Sequence, residues 1–162
     1  YNFPQFSVGE CSKKMAISRR EFGHGALAER SLKAVMPYLK DYKHTIRIVS
    51  EILEANGSSS MATVCSAALA LKDAEVPISE LVAGISIGLI SETDKNILLS
   101  DIQGFEDKYG DMDLKVSATK TGITGLQMDI KINGVSIDLI DSALLQAEKN
   151  IAEIIEKMEA LF

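Results

Sequence analysis

The sequence predicts an α+β domain, a β-sheet packed by helices, and three observations predict it. Apolar positions recur at helical spacing near residue 30, in an Ala-rich segment after residue 60 and through the last quarter of the chain. Short β-branched and apolar runs, bounded by glycine or polar turns, fill the stretches between. After a first helix the order runs strand, helix, strands, helix, which is no regular βαβα alternation.

The elements follow in order. Residues 1–25 show little periodicity and hold Pro4, Gly9, Gly23 and Gly25, which reads as loop. Ala26, Leu27, Leu32, Val35, Met36 and Leu39 predict a helix over 26–40 that Pro37 bends or ends. Alternation of β-branched residues predicts a strand over 44–54. The turn at 56–60 leads into a small-residue helix over 61–73, able to pack closely on a sheet. Residues 82–90 read as an apolar strand that pairs back through the polar turn 92–96 onto Ile97–Leu99. Strands follow at 112–118 and 124–132. Residues 136–161 read as a long amphipathic helix, its apolar stripe a packing surface. There is no internal repeat, low-complexity tract or linker.

With 162 residues, 46% of them hydrophobic, the chain suits one ordinary domain with a real core, so wholesale disorder is excluded. It begins with Tyr1, not Met, which suits a fragment or processed piece. No basic stretch precedes an apolar one and no run of eighteen apolar residues occurs, so neither signal peptide nor membrane helix is expected. Cys11 and Cys65 lack metal-ligand spacing, and a reduced intracellular setting, with Cys65 buried in a helix, is the plain reading. The formal net charge of −6 argues against a generic nucleic-acid binder. Its distribution argues less. Residues 1–50 hold nine Lys/Arg against four Asp/Glu, and the remainder eight against nineteen. A basic first third can track a phosphate backbone, while the acidic remainder can hold metal.

Three segments suit chemistry. In Gly104-Phe-Glu-Asp-Lys-Tyr-Gly-Asp-Met-Asp-Leu-Lys115, an extended 111–116 places Asp111, Asp113 and Lys115 on one face and Met112, Leu114 and Val116 on the other. Asp107 lies upstream, past a turn at Gly110. Carboxylates converging beside an ammonium suit Mg²⁺-assisted phosphoryl transfer, with Asp107 and Asp113 on the metal and Lys115 on an oxyanion. A solvated sheet edge bearing charges would look the same. Gly57-Ser58-Ser59-Ser60 before a helix suits an anion pocket made by Ser59 and Ser60; a single capping serine also accounts for part of it. Arg19 and Arg20, followed by His24 between two glycines, suit bidentate phosphate recognition from a loop, or merely an exposed basic loop.

Together these stretches resemble the second RNase PH-type core domain of the bacterial polynucleotide phosphorylase family. The match runs in order through Tyr1-Asn-Phe-Pro4, Arg19-Arg-Glu-Phe-Gly-His-Gly25, Asn56-Gly-Ser-Ser-Ser-Met-Ala62, Gly110-Asp-Met-Asp113 and Leu126-Gln-Met-Asp-Ile-Lys131. The resemblance implies an RNase PH-like mixed sheet and phosphorolysis of RNA from its 3′ end. Inorganic phosphate would attack the terminal phosphodiester and release nucleoside diphosphates, in mRNA degradation. It places Ser59 and Ser60 on the attacking phosphate. Asp107, Asp113 and Lys115 fall on Mg²⁺ (Mn²⁺ as alternative) and the reacting phosphoryl group, and Arg19, Arg20 and His24 on RNA. Residues 1–162 would be an N-terminally truncated second core domain, lacking its opening strands and working in a homotrimeric ring with the first core domain. RNA-degradation complex partners, a cytoplasmic site and no membrane association are further implications. Phe105 departs from the acidic residue usual in the family, and residues 11–17 depart from its Gly/Pro-rich stretch. A non-catalytic RNA-binding ring subunit and a metal-dependent hydrolase are the competing readings.

Overall fold

The computed structural model describes residues 1–11, 17–37, 40, 42–93 and 95–162. Among these residues four helices and four strands follow in the order α1 (Arg19–Lys33), α2 (Ser59–Asp73), β1 (Ala83–Glu92), β2 (Lys95–Ser100), α3 (Gly104–Tyr109), β3 (Met112–Ala118), β4 (Ile123–Ile130) and α4 (Ile137–Glu159), after a short 3₁₀ turn at Gln5–Val8. The predicted α+β class holds. The strands form one sheet in the order β2-β1-β3-β4, every neighbouring pair antiparallel. The mixed sheet expected from the resemblance is therefore corrected. Parallel pairing among the described residues is a single bridge between Asn2 and Glu51. The connections explain this, since hairpins join antiparallel neighbours and a parallel pair needs a long crossover.

The two faces of the sheet differ in chemistry. Ile85, Ile87 and Leu89 of β1 and Met112, Leu114 and Val116 of β3 alternate onto one face, all buried. Helix α4 covers that face with Ala143, Ala147, Ile151 and Ile155, spaced by four residues so that one stripe turns inward. Burying each large side chain contributes about 1.5–3 kcal/mol. The other face carries Gly84, Ser86 and Gly88 across from Ser117, Lys115 and Asp113. Small residues there let neighbours approach closely. A Cβ on Gly84 would lie 2.7 Å from Met61 Sδ of α2, and one on Gly88 2.6 Å from Ile102 Cγ2. The polar face is thus a packed interior, and Asp113 is only 4% exposed. The solvated sheet edge is excluded, because β3 is paired on both sides.

Several boundaries differ from expectation. Helix α1 starts at Arg19 and ends at Lys33, not 26–40. Ser18 accepts from the Glu21 N–H while the Glu21 carboxylate reaches back, a capping box that begins the helix seven residues early. The arginine pair and His24 therefore sit on a helix, not in a loop. Tyr38, Leu39 and Asp41 lie outside the described residues. The expected strand over 44–54 joins no ladder. Asn2 N donates to Ser50 O and Ile52 N donates to Asn2 O, and among the described residues the segment forms no bridge beyond that with Asn2. Ile48, Val49 and Leu53 are exposed along it. Helix α3 was not expected; its signature is a second capping box, Gln103 with Glu106. The hairpin turn is tighter than 92–96, with Glu92 already paired to Lys95; Asp94 lies outside the described residues. Strands 112–118 and 123–130 and the long C-terminal helix fall close to prediction.

One backbone position governs the site. Gly57 has φ +92°, and a Cβ there would overlap the Ile102 carbonyl. Ser58 follows with φ +50°. This left-handed pair turns the chain into α2 against residues 101–103. Gly57→Ala is expected to destabilise the protein by about 2 kcal/mol or more, through both the backbone conformation and the overlap. Thermal unfolding would read this as a lowered Tm, and an unchanged Tm would show that the turn yields.

Candidate active site

Three elements frame the candidate site beside the polar face of the sheet: α2 packs on that face, and the first turn of α1 meets helix α3 through Arg20 and Asp107. The turn before α2 is held from below. Ser58 occupies the cap position, yet no side chain caps the helix. The Ser58 hydroxyl instead bonds the Ser86 hydroxyl of β1, and Ser86 Oγ accepts from Ile102 N at 3.1 Å. The expectation that one serine caps α2 is corrected: Ser58 is a strut between sheet and turn. Ser60 is fully buried and its hydroxyl has no hydrogen-bond partner. An uncapped helix start beside a buried, unpartnered hydroxyl is an arrangement that an anion would complete.

On β3, Asp113 and Lys115 form a buried ion pair, with side chains 5% and 9% exposed. The pair engages one carboxylate oxygen. The other, Asp113 Oδ1, is buried and unpartnered. Burial pushes the Asp113 carboxyl above its ordinary range and outweighs Lys115, and the charge of Asp107 adds to the rise. A cation at Oδ1 would satisfy both the lone pair and the charge.

Asp107 projects from α3. Arg20 reaches it at 3.4 Å and Lys131 at 3.9 Å, and Lys131 Nζ also donates to the Asp107 carbonyl. These contacts bring the first turn of α1, helix α3 and the residue after β4 together. Lys131 was missed as a site residue; its position in the matching segment was the only signal. Asp111 does not join the group. It precedes β3, and its carboxylate accepts from Ser91 N at 2.7 Å, which anchors the strand end. Arg19 is exposed, at the first residue of α1.

His24 lies one turn into α1. Burial, with the nearby Lys115 and Arg20 charges, lowers its pKa to about 4. Its Nδ1 is 3.3 Å from the Tyr1 hydroxyl, which is 2.7 Å from Ser59 Oγ. Tyr1, absent from the sequence-based site, thus joins the serine pocket to the histidine. Proton NMR of the free protein should find His24 titrating near pH 4 rather than the usual 6.5. A midpoint near 6.5 would mean that the imidazole is solvated.

The residues present fit a hard divalent cation. Asp113 Oδ1 lacks a partner, Asp107 lies close enough to influence it, and Mg²⁺ typically takes one or two carboxylates plus substrate phosphates. Among the described residues no group of three or more His, Cys, Asp or Glu could hold a metal, so a closed all-protein site is not what this face offers.

Known proteins resemble this chain in fold and in sequence. The fold resembles the crystal structure of rice (Oryza sativa) Rrp46, with a TM-score of 0.76 over 90% of this chain and 67% of that one, at 16% identity. The RNase PH profile, described as the 3′ exoribonuclease family, domain 1, matches residues 1–77. Over residues 1–77 the chain thus matches the RNase PH family. The sequence is also 58% identical over 158 residues to the polyribonucleotide nucleotidyltransferase of Syntrophotalea carbinolica and 59% identical over 158 residues to that of Pseudothermotoga lettingae, covering 98% of this chain in each case. The chain spans 23% and 22% of the length of those two relatives.

Proposed function

We propose that this chain carries the catalytic face of a phosphorolytic 3′→5′ exoribonuclease, a polyribonucleotide nucleotidyltransferase. The observation that carries the reading is the pair of buried, unpartnered oxygens. Ser60 Oγ at an uncapped helix start suits an oxyanion, and Asp113 Oδ1 on the adjoining strand suits a cation. A phosphate nucleophile and a metal ion are the two groups such a face would take. The similarity to polyribonucleotide nucleotidyltransferases supports the same assignment.

In this reading Ser59, Ser60 and the first N–H groups of α2 hold inorganic phosphate. Arg20, with Arg19 beside it, and His24 hold the RNA end at the first turns of α1. One phosphate oxygen forms a bond to the phosphorus of the terminal nucleotide, and the bond from that phosphorus to the preceding O3′ breaks. The leaving O3′ takes a proton to become the new 3′ hydroxyl, and a nucleoside diphosphate departs. Asp107 and Asp113 would hold Mg²⁺, or Mn²⁺, which neutralises charge on the reacting phosphoryl group when bound. Lys115, fixed by Asp113, supplies a cation beside it. Catalysis here is positioning and charge neutralisation.

Larger assembly belongs to the same proposal. The 44–54 segment, bridged only to Asn2 among the described residues and bearing exposed apolar residues, suits further strands that would complete a second core domain. A homotrimeric ring with first core domains, RNA-degradation partners and a cytoplasmic site rest on the resemblance alone. No helix among the described residues is long and apolar enough to cross a membrane.

A product assay with RNA, Mg²⁺ and inorganic phosphate tests the proposal. Phosphate-dependent release of nucleoside diphosphates is the expected result. Monophosphates released without phosphate would replace it with hydrolysis, and RNA binding without any release would point to a non-catalytic subunit.

A further inference from the structure

Tyr1 is half-buried and held by several contacts. Its ring stacks on Phe3 with centroids 6.1 Å apart and meets the edge of His24 at 5.8 Å. Phe3 N donates to the Glu21 carboxylate at 2.9 Å, and Asn2 N donates to Ser50 O at 2.8 Å. The lack of a side chain at Gly25 admits the ring, since a Cβ there would lie 3.2 Å from Tyr1 Cβ. The phenol oxygen is thereby fixed between Ser59 Oγ at 2.7 Å and His24 Nδ1 at 3.3 Å. Burial pushes the phenol pKa up, so the hydroxyl keeps its hydrogen.

We propose that Tyr1 is a positioning residue that aims the Ser59 hydroxyl hydrogen at a bound oxyanion and, through the same oxygen, couples the tautomer of His24 to occupancy of that site. The inference rests on the reading of the α2 start as a phosphate pocket.

The hydrogen count carries it. A hydroxyl donates one hydrogen and accepts others, and a neutral imidazole has one donor and one acceptor nitrogen. The row Ser59–Tyr1–His24 therefore has two directions. In one, Ser59 donates to Tyr1, Tyr1 donates to Nδ1, and His24 carries its proton on Nε2. In the other, Nδ1–H donates to Tyr1, Tyr1 donates to Ser59, and the Ser59 hydrogen is free to point outward. An unprotonated phosphate oxygen only accepts, so one facing Ser59 selects the second direction. His24 then loses the Nε2 proton to water and gains one on Nδ1, with no net uptake. Nε2 becomes an acceptor, which suits a hydroxyl donor such as that of a ribose. Phosphate binding would thus ready His24 for RNA, whose ribose 2′-hydroxyl DNA lacks.

Tyr1→Phe keeps the ring and removes the hydroxyl. It is expected to raise the phosphate KM about tenfold, the loss of one oriented hydrogen bond, while kcat and RNA affinity without phosphate stay unchanged. Nitrogen NMR of His24 supplies a readout that a purely structural role would not move. Inorganic phosphate should shift the wild-type imidazole from the Nε2–H to the Nδ1–H form, and should fail to do so in Tyr1→Phe and in Ser59→Ala. A wild-type phosphate KM in Tyr1→Phe, or a His24 tautomer indifferent to phosphate in the wild type, would overturn the inference. Absence of diphosphate release by the wild type would instead sink the phosphorolysis reading. The NMR titration needs no turnover and decides the role of Tyr1 separately.

Discussion

Asp113→Asn is expected to lower phosphorolysis at least about a hundredfold while leaving RNA binding nearly intact, the size of effect seen when one group aimed at developing charge is lost. The amide keeps the shape of the side chain but brings no charge to the cation position at Oδ1, the unpartnered oxygen. The same change leaves Lys115 buried without its counter-charge. Breaking such a pair costs about 3–5 kcal/mol, so a melting curve must accompany the assay. Mg²⁺ separates the two effects. A metal that binds the folded form raises Tm by mass action. The wild-type protein should show that rise and Asp113→Asn should not. Full activity in Asp113→Asn, or an equal Mg²⁺ response in both proteins, would remove Asp113 from the metal.

Ser60→Ala should behave in the opposite way on stability. The Ser60 hydroxyl is buried and unpartnered, so in the free protein it contributes no hydrogen bond and carries the cost of lost hydration. Its removal is expected to hold or raise Tm. With phosphate bound, the hydroxyl gains an anionic acceptor, a bond stronger than a neutral one. Ser60→Ala should therefore raise the phosphate KM about tenfold or more, with RNA affinity unchanged. A residue whose deletion stabilises the fold and weakens one substrate is held for that substrate. An unchanged phosphate KM would return Ser60 to a packing role.

Much of the fold was legible because periodicity is local. The β3 residues, Asp113 and Lys115 on one face and Met112, Leu114 and Val116 on the other, were readable from alternation alone, as was the α4 stripe. Helices α1 and α3 were misread for a different reason. Gly23 and Gly25 suggested loop at the first and no element was read at the second, while the capping boxes Ser18–Glu21 and Gln103–Glu106 were the stronger signal. The 44–54 segment failed in another way. Its alternation is real, but a strand exists only with a partner, and here the partner is one bridge to Asn2.

The sequence by itself determined the residue types of the candidate site and their order: serines before a helix, paired arginines, and carboxylates flanking Gly110 on the way to Lys115. It also determined which β3 side chains share a face, since that follows from the two-residue period. Only the tertiary structure decided which of them meet. It withdrew Asp111 to Ser91, joined Asp107 to Arg20 and Lys131, made Ser58 a strut on Ser86, and set Tyr1 between Ser59 and His24. The physical reason is that burial and hydrogen-bond satisfaction belong to the packed molecule. An oxygen is left without a partner only when its neighbours from other elements are in place, and no spacing along a chain discloses that.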